Sequence, residues 1–172
     1  MGPGLQDLAR HNAWATAQVL RYCQGLDDVT LNATVPGTYG TIIETLRHIV
    51  ASEASYIYRL AAYQPGLLWR EDRAVGLDVL AERAVALGSA LEQFLATDWD
   101  DERLGEARGD EGEVFAVPAA IFLTQAIHHA NEHRAHICTI LGALGLETPE
   151  VSAWDYAIAT GRMTLKTPTS AS

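Results

Sequence analysis

The chain has 172 residues, which is the size of one domain, and its 48% of hydrophobic residues can supply a single core. Twelve basic residues against 22 acidic ones give a net charge of −10, which argues against binding to nucleic acids or to anionic membrane surfaces. The sequence shows no apolar stretch of the ~18 residues that a membrane span needs and no apolar signal segment at its start, and its two cysteines are too few for a disulfide framework, so we expect a cytoplasmic protein.

Five segments are predicted as helices, because their apolar residues recur at helical spacing and glycine or proline lies near their ends. In chain order they cover residues 4–26, 41–63, 77–96, 118–144 and 152–162. The second opens on a capping box, in which the Thr41 hydroxyl and the Glu44 carboxylate each accept a backbone N–H. Four long amphipathic helices and a short fifth predict an all-α fold, a helical bundle.

The segments between the helices are predicted as loops. Residues 32–40 contain proline and glycine, and a mixed linker follows over 64–75. The stretch 98–113 holds eight acids and two arginines and is interpreted as a solvated loop. The strand-like run that follows it, 114–117, is too short to anchor a sheet. We therefore predict one domain over residues 1–163 and a flexible tail over 164–172.

Four of the six histidines fall within nine residues of the fourth predicted helix, at positions 128, 129, 133 and 136. At ~100° per residue, His129, His133 and His136 share a face that borders the core-facing stripe, while His128 points away from it. Two histidines at i and i+4 can converge on one metal ion at ~2.1 Å each. The H-E-x-x-H metalloprotease motif is excluded, since Ala130 follows the first histidine of the pair.

A stable metal site needs a third protein ligand, and His48 in the second predicted helix is the best candidate. Three imidazoles from two helices would leave positions for water, which is typical of a reactive metal site. His136 is left open as another ligand, a support for a ligand or a proton shuttle. The alternative without metal is a polar patch of histidines between packed helices. Aromatic candidates for lining a pocket, each also suited to simple packing, are Trp14, Tyr56 and Trp154.

Four segments together resemble the DinB/YfiT-like superfamily of metalloenzymes over most of the chain, from about residue 8 to 159. They are N-A-W-A at 12–15, L-R-H-I at 46–49 with Glu53 after it, H-x-x-x-H-R at 129–134 and W-D-Y-A at 154–157. No one of them is decisive alone, but their order and spacing are fairly specific. The family name does not imply DNA binding, which the net charge disfavours.

The resemblance implies a four-helix up-down-down-up bundle, often dimeric, with a divalent metal ion held at one end by His48, His129 and His133. Zinc or nickel is the metal that it implies. Where many members read H-R-G-Q, this chain has His136 in the place of the glutamine, so the role of this residue stays open. For Arg134 we expect a structural ion pair rather than a part in the chemistry.

Relatives of known activity include thiol-cofactor S-transferases and a thiol-dependent maleylpyruvate isomerase. The resemblance thus implies a small-molecule substrate and a low-molecular-weight thiol as a possible cofactor. We favour a metal-dependent transferase or hydrolase with no catalytic residue yet assigned. The alternatives are a non-catalytic metal-binding or stress-associated interaction protein, and a bundle without a physiological metal.

Overall fold

Six helices and a two-stranded sheet make up the part of the chain that the computed structural model describes, which is residues 3–60, 75–109 and 111–165. In chain order the elements are α1 (Pro3–Cys23), α2 (Asp28–Leu31), α3 (Ile42–Leu60), α4 (Leu77–Leu95), β1 (Leu104–Arg108), β2 (Val114–Pro118), α5 (Ala119–Ala143) and α6 (Ala153–Ala159). Among the described residues, no helix combines the length and the apolarity that crossing a bilayer requires.

The five predicted helices are confirmed as α1, α3, α4, α5 and α6. The predicted capping box is present at the start of α3, where the Glu44 N–H donates to the Thr41 hydroxyl and the Thr41 N–H donates to the Glu44 carboxylate, both at 3.2 Å. Helix α2 was not predicted, because four residues are too few to show a period. Residues 61–63 at the end of the second predicted helix, the predicted linker from residue 64 to 74 and the tail from residue 166 onward lie outside the described residues. The division into domain and tail stays a prediction.

A β-hairpin occupies part of the stretch that was predicted as a solvated loop, so the prediction of an all-α fold was wrong there. Strand β1 pairs antiparallel with β2, and Leu104 lies opposite Pro118. The inward positions of β1 are Gly105 and Ala107, which give no alternating pattern of large apolar residues. Gly105 lies against α5 so closely that a Cβ would come within 2.9 Å of the Phe122 ring.

The core lies between the four long helices. Helix α3 packs mainly on α5 and helix α1 on α4, with less extensive contacts between α3 and α4 and between α1 and α5. Each helix contributes apolar residues spaced three or four apart, and burying one such side chain stabilises the fold by ~1.5–3 kcal/mol. Fully buried examples are Val19, Leu20, Leu46, Ile49, Leu87, Leu95, Ile137 and Ile140.

Both cysteines are free thiols on core helices. Cys23 is fully buried, and burial raises the pKa of its thiol to about 12. Cys138 on α5 is only half-buried, and burial raises the pKa of its thiol as well. Cys23 therefore belongs to the core, while Cys138 lies at its edge.

The first turn of α5 is tied to the segment that leads into the hairpin. The backbone N–H of Ala119 donates to the carbonyl of Arg103, and that of Ala120 donates to the carbonyl of Asp101, both at 2.9 Å. Pro118 both ends β2 and precedes the first residue of α5, so strand and helix join without a connecting loop. The N–H groups in the first turn of a helix have no partners within the helix. Two of these groups in α5 are thus satisfied by carbonyls of the preceding segment.

Helices α1 and α4 run in opposite directions and approach closely midway along their length. Arg10 Nε donates to Glu92 Oε1 at 2.8 Å, and beyond the end of α1 the Gln24 amide donates to Asp78 Oδ1 at 2.9 Å. Between these contacts, Gly88 faces Ala13, and a Cβ on Gly88 would lie 2.7 Å from the Ala13 Cβ. The two backbones can approach this closely only because residue 88 has no side chain.

We expect Gly88→Ala to lower the free energy of unfolding by about 1 kcal/mol, because a clash of ~1–3 kcal/mol exceeds the gain of at most ~1 kcal/mol in helix propensity. The matched control is Gly142→Ala in α5, where an added Cβ would meet no atom within 4 Å. That variant should be more stable than wild type by about 0.5–1 kcal/mol. Urea unfolding measures both, and stabilisation by both substitutions would contradict the close approach.

Candidate metal centre

The three predicted histidine ligands are carried by two packed helices. His48 lies on α3, while His129 and His133 lie one turn apart on α5. The rotation of α3 about its axis is fixed by the burial of Leu46 and Ile49 on either side of His48 in the sequence. On α5, burial of Ala130 and Ile137 has the same effect. The packing of the core therefore turns the three imidazoles toward each other.

The side chains of His48, His129 and His133, which we call the histidine cluster, converge through their Nε2 atoms. The Nε2 atom of His129 lies 3.0 Å from that of His48 and 3.1 Å from that of His133. Two nitrogens bound to one tetrahedral ion at ~2.1 Å would lie about 3.4 Å apart. One ligand atom from each residue lies within 4.8 Å of the others, so the histidine cluster could hold a metal ion.

The electrostatic environment keeps the central imidazole neutral. Burial is the largest cause that lowers the pKa of His129, and together with the neighbouring His133, His48 and His128 it brings that pKa to about 4. A neutral imidazole has a lone pair available for a metal, whereas an imidazolium has none. His133 is buried and the other two are half-buried, so the histidine cluster lies at the margin of the core rather than on open surface.

Tyr39 supports the histidine cluster and was not among the predicted site residues. The Tyr39 hydroxyl lies 3.0 Å from His48 Nδ1, and the two rings stack with their centroids 4.1 Å apart. Its ring also meets His133 edge-on, at 4.9 Å between centroids. A hydrogen bond to the second ring nitrogen fixes which nitrogen of a histidine is free to bind a metal. The only signal in the sequence is an aromatic residue in a glycine-flanked loop directly before α3.

His136 contacts the histidine cluster on the side opposite to the three Nε2 atoms. Its Nδ1 atom lies 3.3 Å from Nδ1 of His133, which is the ring nitrogen remote from the convergence of the Nε2 atoms. The ring of Tyr56 meets His129 edge-on, with centroids 5.7 Å apart. Of the three aromatic residues predicted to line a pocket, Tyr56 is therefore beside the histidine cluster.

The other predicted residues lie elsewhere. Trp14 packs against Tyr156 of α6 with ring centroids 5.6 Å apart, and Trp154 is 72% exposed. His128 is exposed, as predicted. His11 is half-buried, and its Nε2 atom lies 2.9 Å from the carbonyl oxygen of Val151.

A buried polar network links three helices next to the histidine cluster. The Asn12 side-chain amide donates to Glu53 Oε1 at 2.7 Å, and its oxygen accepts from Arg134 Nη1 at 2.9 Å. The same Nη1 donates to the Thr16 hydroxyl at 2.8 Å. Asn12 thus bridges a carboxylate on α3 and a guanidinium on α5. In place of the direct ion pair that was expected for Arg134, the described residues show this bridge through an amide.

Burial opposes both charges in this network. It raises the pKa of Glu53, while Arg134 and the hydrogen bond from Asn12 act in the opposite direction. It likewise lowers the pKa of Arg134, and Glu53 counteracts that effect. Each side chain therefore favours the ionised form of the other, and the Asn12 amide connects the two.

The polar residues of three of the quoted segments meet in the histidine cluster and in the buried polar network. A model of the DinB family matches residues 1–166. The chain belongs to the DinB family. The fold is also similar to the crystal structure of a DinB-like protein from Bacillus cereus ATCC 10987, with a TM-score of 0.59 and 21% identity, over 83% of this chain and 91% of that one. At this identity the likeness concerns the fold alone. No curated protein sequence matches the chain significantly.

We expect Asn12→Ala to lower the free energy of unfolding by about 2–4 kcal/mol, because it leaves Glu53 and Arg134 buried without their bridge. Gln18→Ala, on the same helix but in an exposed contact with Arg21, should change stability by less than about 0.5 kcal/mol. Urea unfolding measures both variants. If the two behaved alike, the network would not be a major support of the fold.

Removal of the Tyr39 hydroxyl should weaken metal binding without removing a ligand. We expect Tyr39→Phe to lower the affinity for zinc about tenfold or more, the usual effect of losing a group that orients a ligating histidine. Tyr56→Phe is the control, since this ring also contacts the histidine cluster but its hydroxyl has no hydrogen bond within the described residues. Competition with a chromophoric chelator measures both affinities, and equal losses in the two variants would refute a specific role for Tyr39.

Proposed function

We propose that this member of the DinB family is a metal-dependent enzyme that acts on a small molecule, with His48, His129 and His133 as ligands of a divalent ion. The observation that carries the proposal is the convergence of three Nε2 atoms, with the central imidazole held neutral. Imidazole nitrogens suit zinc and nickel among the common divalent ions. Three protein ligands also leave at least one position for an exchangeable group.

The residues of the histidine cluster and those around it have different roles in the proposed site. When bound, a divalent ion supplies Lewis acidity, which lowers the pKa of a water or a thiol in an open position. Tyr39 holds the ring of His48, and His136 supports His133 from the side away from the ion. Thiol S-transfer with a low-molecular-weight thiol and hydrolysis are the two reaction classes that such a site serves.

The proposal also covers the directions of the helices, the oligomeric state, the partners and the cellular location. An up-down-down-up bundle requires α3 and α4 to run in the same direction. This is supported by Arg47 near the start of α3, whose Nε donates at 2.9 Å to the carbonyl of Val75 just before α4, because the two helices then start side by side. A homodimer follows from the family resemblance. The net charge of −10 supports a protein without nucleic-acid or membrane partners, and the two free thiols support a reducing cytoplasmic location.

A second candidate function is non-catalytic metal binding, as in a stress-associated interaction protein. It is favoured by the fourth imidazole close by, that of His136. If His136 turned to complete the coordination of the ion, no position would remain for a substrate, and the site would be structural. The two functions therefore differ in whether a ligand at the metal can be exchanged.

The first test is metal content, measured by elemental mass spectrometry on untagged protein. Wild type should carry about one divalent ion per chain, and His129→Ala should lose it because two imidazoles rarely retain an ion. His128→Ala is the matched control, since the adjacent histidine is exposed and is not part of the histidine cluster. That variant should keep its metal.

An empty wild type after incubation with zinc, nickel and manganese would overturn the metal site altogether. Where metal is present, cobalt substitution separates the two functions. A change in the visible spectrum on addition of 2-mercaptoethanol would show an exchangeable position and support the enzyme. An unchanged spectrum would favour the structural site.

A further inference from the structure

A cavity of about 500 Å³ lies on the flank of α5 that faces away from the histidine cluster. It is bounded by the start of α1, by the first half of α5 and by Trp99 in the connection between α4 and β1. His128 lines it, whereas the next residue, His129, belongs to the histidine cluster. The two sites therefore use different faces of one helix, about 100° apart.

The walls of the cavity are mostly apolar. Leu5 and Leu8 come from α1, Leu123 and Ile127 come from α5, and the ring of Trp99 completes the lining at one side. Leu8 is 45% exposed, so part of its side chain is open to a ligand in the cavity. A volume of this size lies within the ~300–1,000 Å³ of small-molecule sites, which are mostly apolar with a few polar groups that fix orientation.

The lining of the cavity includes one acidic side chain. Asp101 lines the cavity, and within the described residues its carboxylate has no ion-pair partner. Asp98, Asp100 and Glu102 lie in the same short segment, and no basic residue lies among them. A carboxylate beside an apolar surface selects a ligand of opposite charge.

The arginines near the cavity are engaged elsewhere. Arg103 donates to the carbonyl of Leu60 at the end of α3, and Arg10 pairs with Glu92. Arg134 reaches the inner end of the cavity, but its guanidinium is bonded to Asn12 in the buried network, where the carboxylate of Glu53 balances its charge. The contacts of these three arginines within the described residues therefore lie away from Asp101.

We propose that this cavity binds an amphipathic organic cation, an aryl- or alkylammonium compound, with its apolar body against the leucines and Trp99 and its ammonium group at Asp101. The site is independent of the metal centre and of the function proposed for it. The aromatic face of Trp99 adds to the attraction for an ammonium group.

The test uses three probes that share one apolar body and differ in charge: 4-phenylbutylamine, 4-phenylbutan-1-ol and 4-phenylbutyrate. Calorimetric titration of the full chain at neutral pH and low salt should give the tightest binding for the amine and the weakest for the carboxylate. We expect the amine to bind roughly fivefold more tightly than the alcohol, the effect of a partly exposed ion pair.

Asp101→Asn should reduce amine binding to about the level of the alcohol and leave alcohol binding unchanged. Asp28→Asn is the matched control, because it removes the same charge near the opposite end of α1. It should keep the preference for the amine. Leu8→Ala should weaken the binding of all three probes to a similar extent. Circular dichroism verifies that each variant is folded.

Three outcomes would overturn the proposal. Equal affinities for the three probes would show an apolar site without a role for Asp101. Loss of the preference in both asparagine variants would show a general effect of net charge. Absence of binding for all three probes would show that the cavity takes no such ligand, and a dimer in light scattering would then identify a second copy of the chain as its cover.

Discussion

The side-chain amide of Asn12 is the group on which the geometry of the candidate site depends. It joins the Glu53 carboxylate of α3 to the Arg134 guanidinium of α5, and both charges are buried. Neither charge is stable in the core without the other. The hydrogen bonds of the network therefore fix the rotation of each helix about its axis and its position along that axis. Arg134 directly follows His133, and Glu53 lies further along the helix that carries His48. The convergence of the three imidazoles is therefore set by polar contacts as well as by apolar packing.

Helix α5 separates two chemically different regions. Its buried stripe holds residues such as Ile137 and Ile140, with the histidine cluster along one margin and the apolar cavity along the other. A single helix of 25 residues can serve both because side chains leave it in all directions at fixed intervals. The polar histidines and the apolar lining do not compete for the same surface, and the core between them isolates one from the other.

The sequence predicts those features that depend on spacing within one helix or on short local patterns. The i and i+4 pair of His129 and His133 and the capping box of Thr41 are of this kind, and His48 could be added because apolar neighbours place it near the core. The hairpin was missed because Gly105 and Ala107 are its inward residues, which leave no apolar alternation. Tyr39 was missed because a loop has no period, and its contact with His48 exists only after the chain has folded. The partners of Asn12 likewise come from two other helices, and pairings of that kind depend on tertiary packing.

The direct joining of β2 to α5 has a consequence for the way in which the protein opens. The first amides of α5 are bonded to carbonyls that precede the hairpin, so this helix end cannot fray without detaching that segment. Slow hydrogen exchange would then extend from the buried middle of α5 to its first turn, and β1 and β2 would exchange together with it. The hairpin and the helix that carries His129 and His133 thus form one cooperative unit of local unfolding, in which the histidines keep their positions until the whole unit opens.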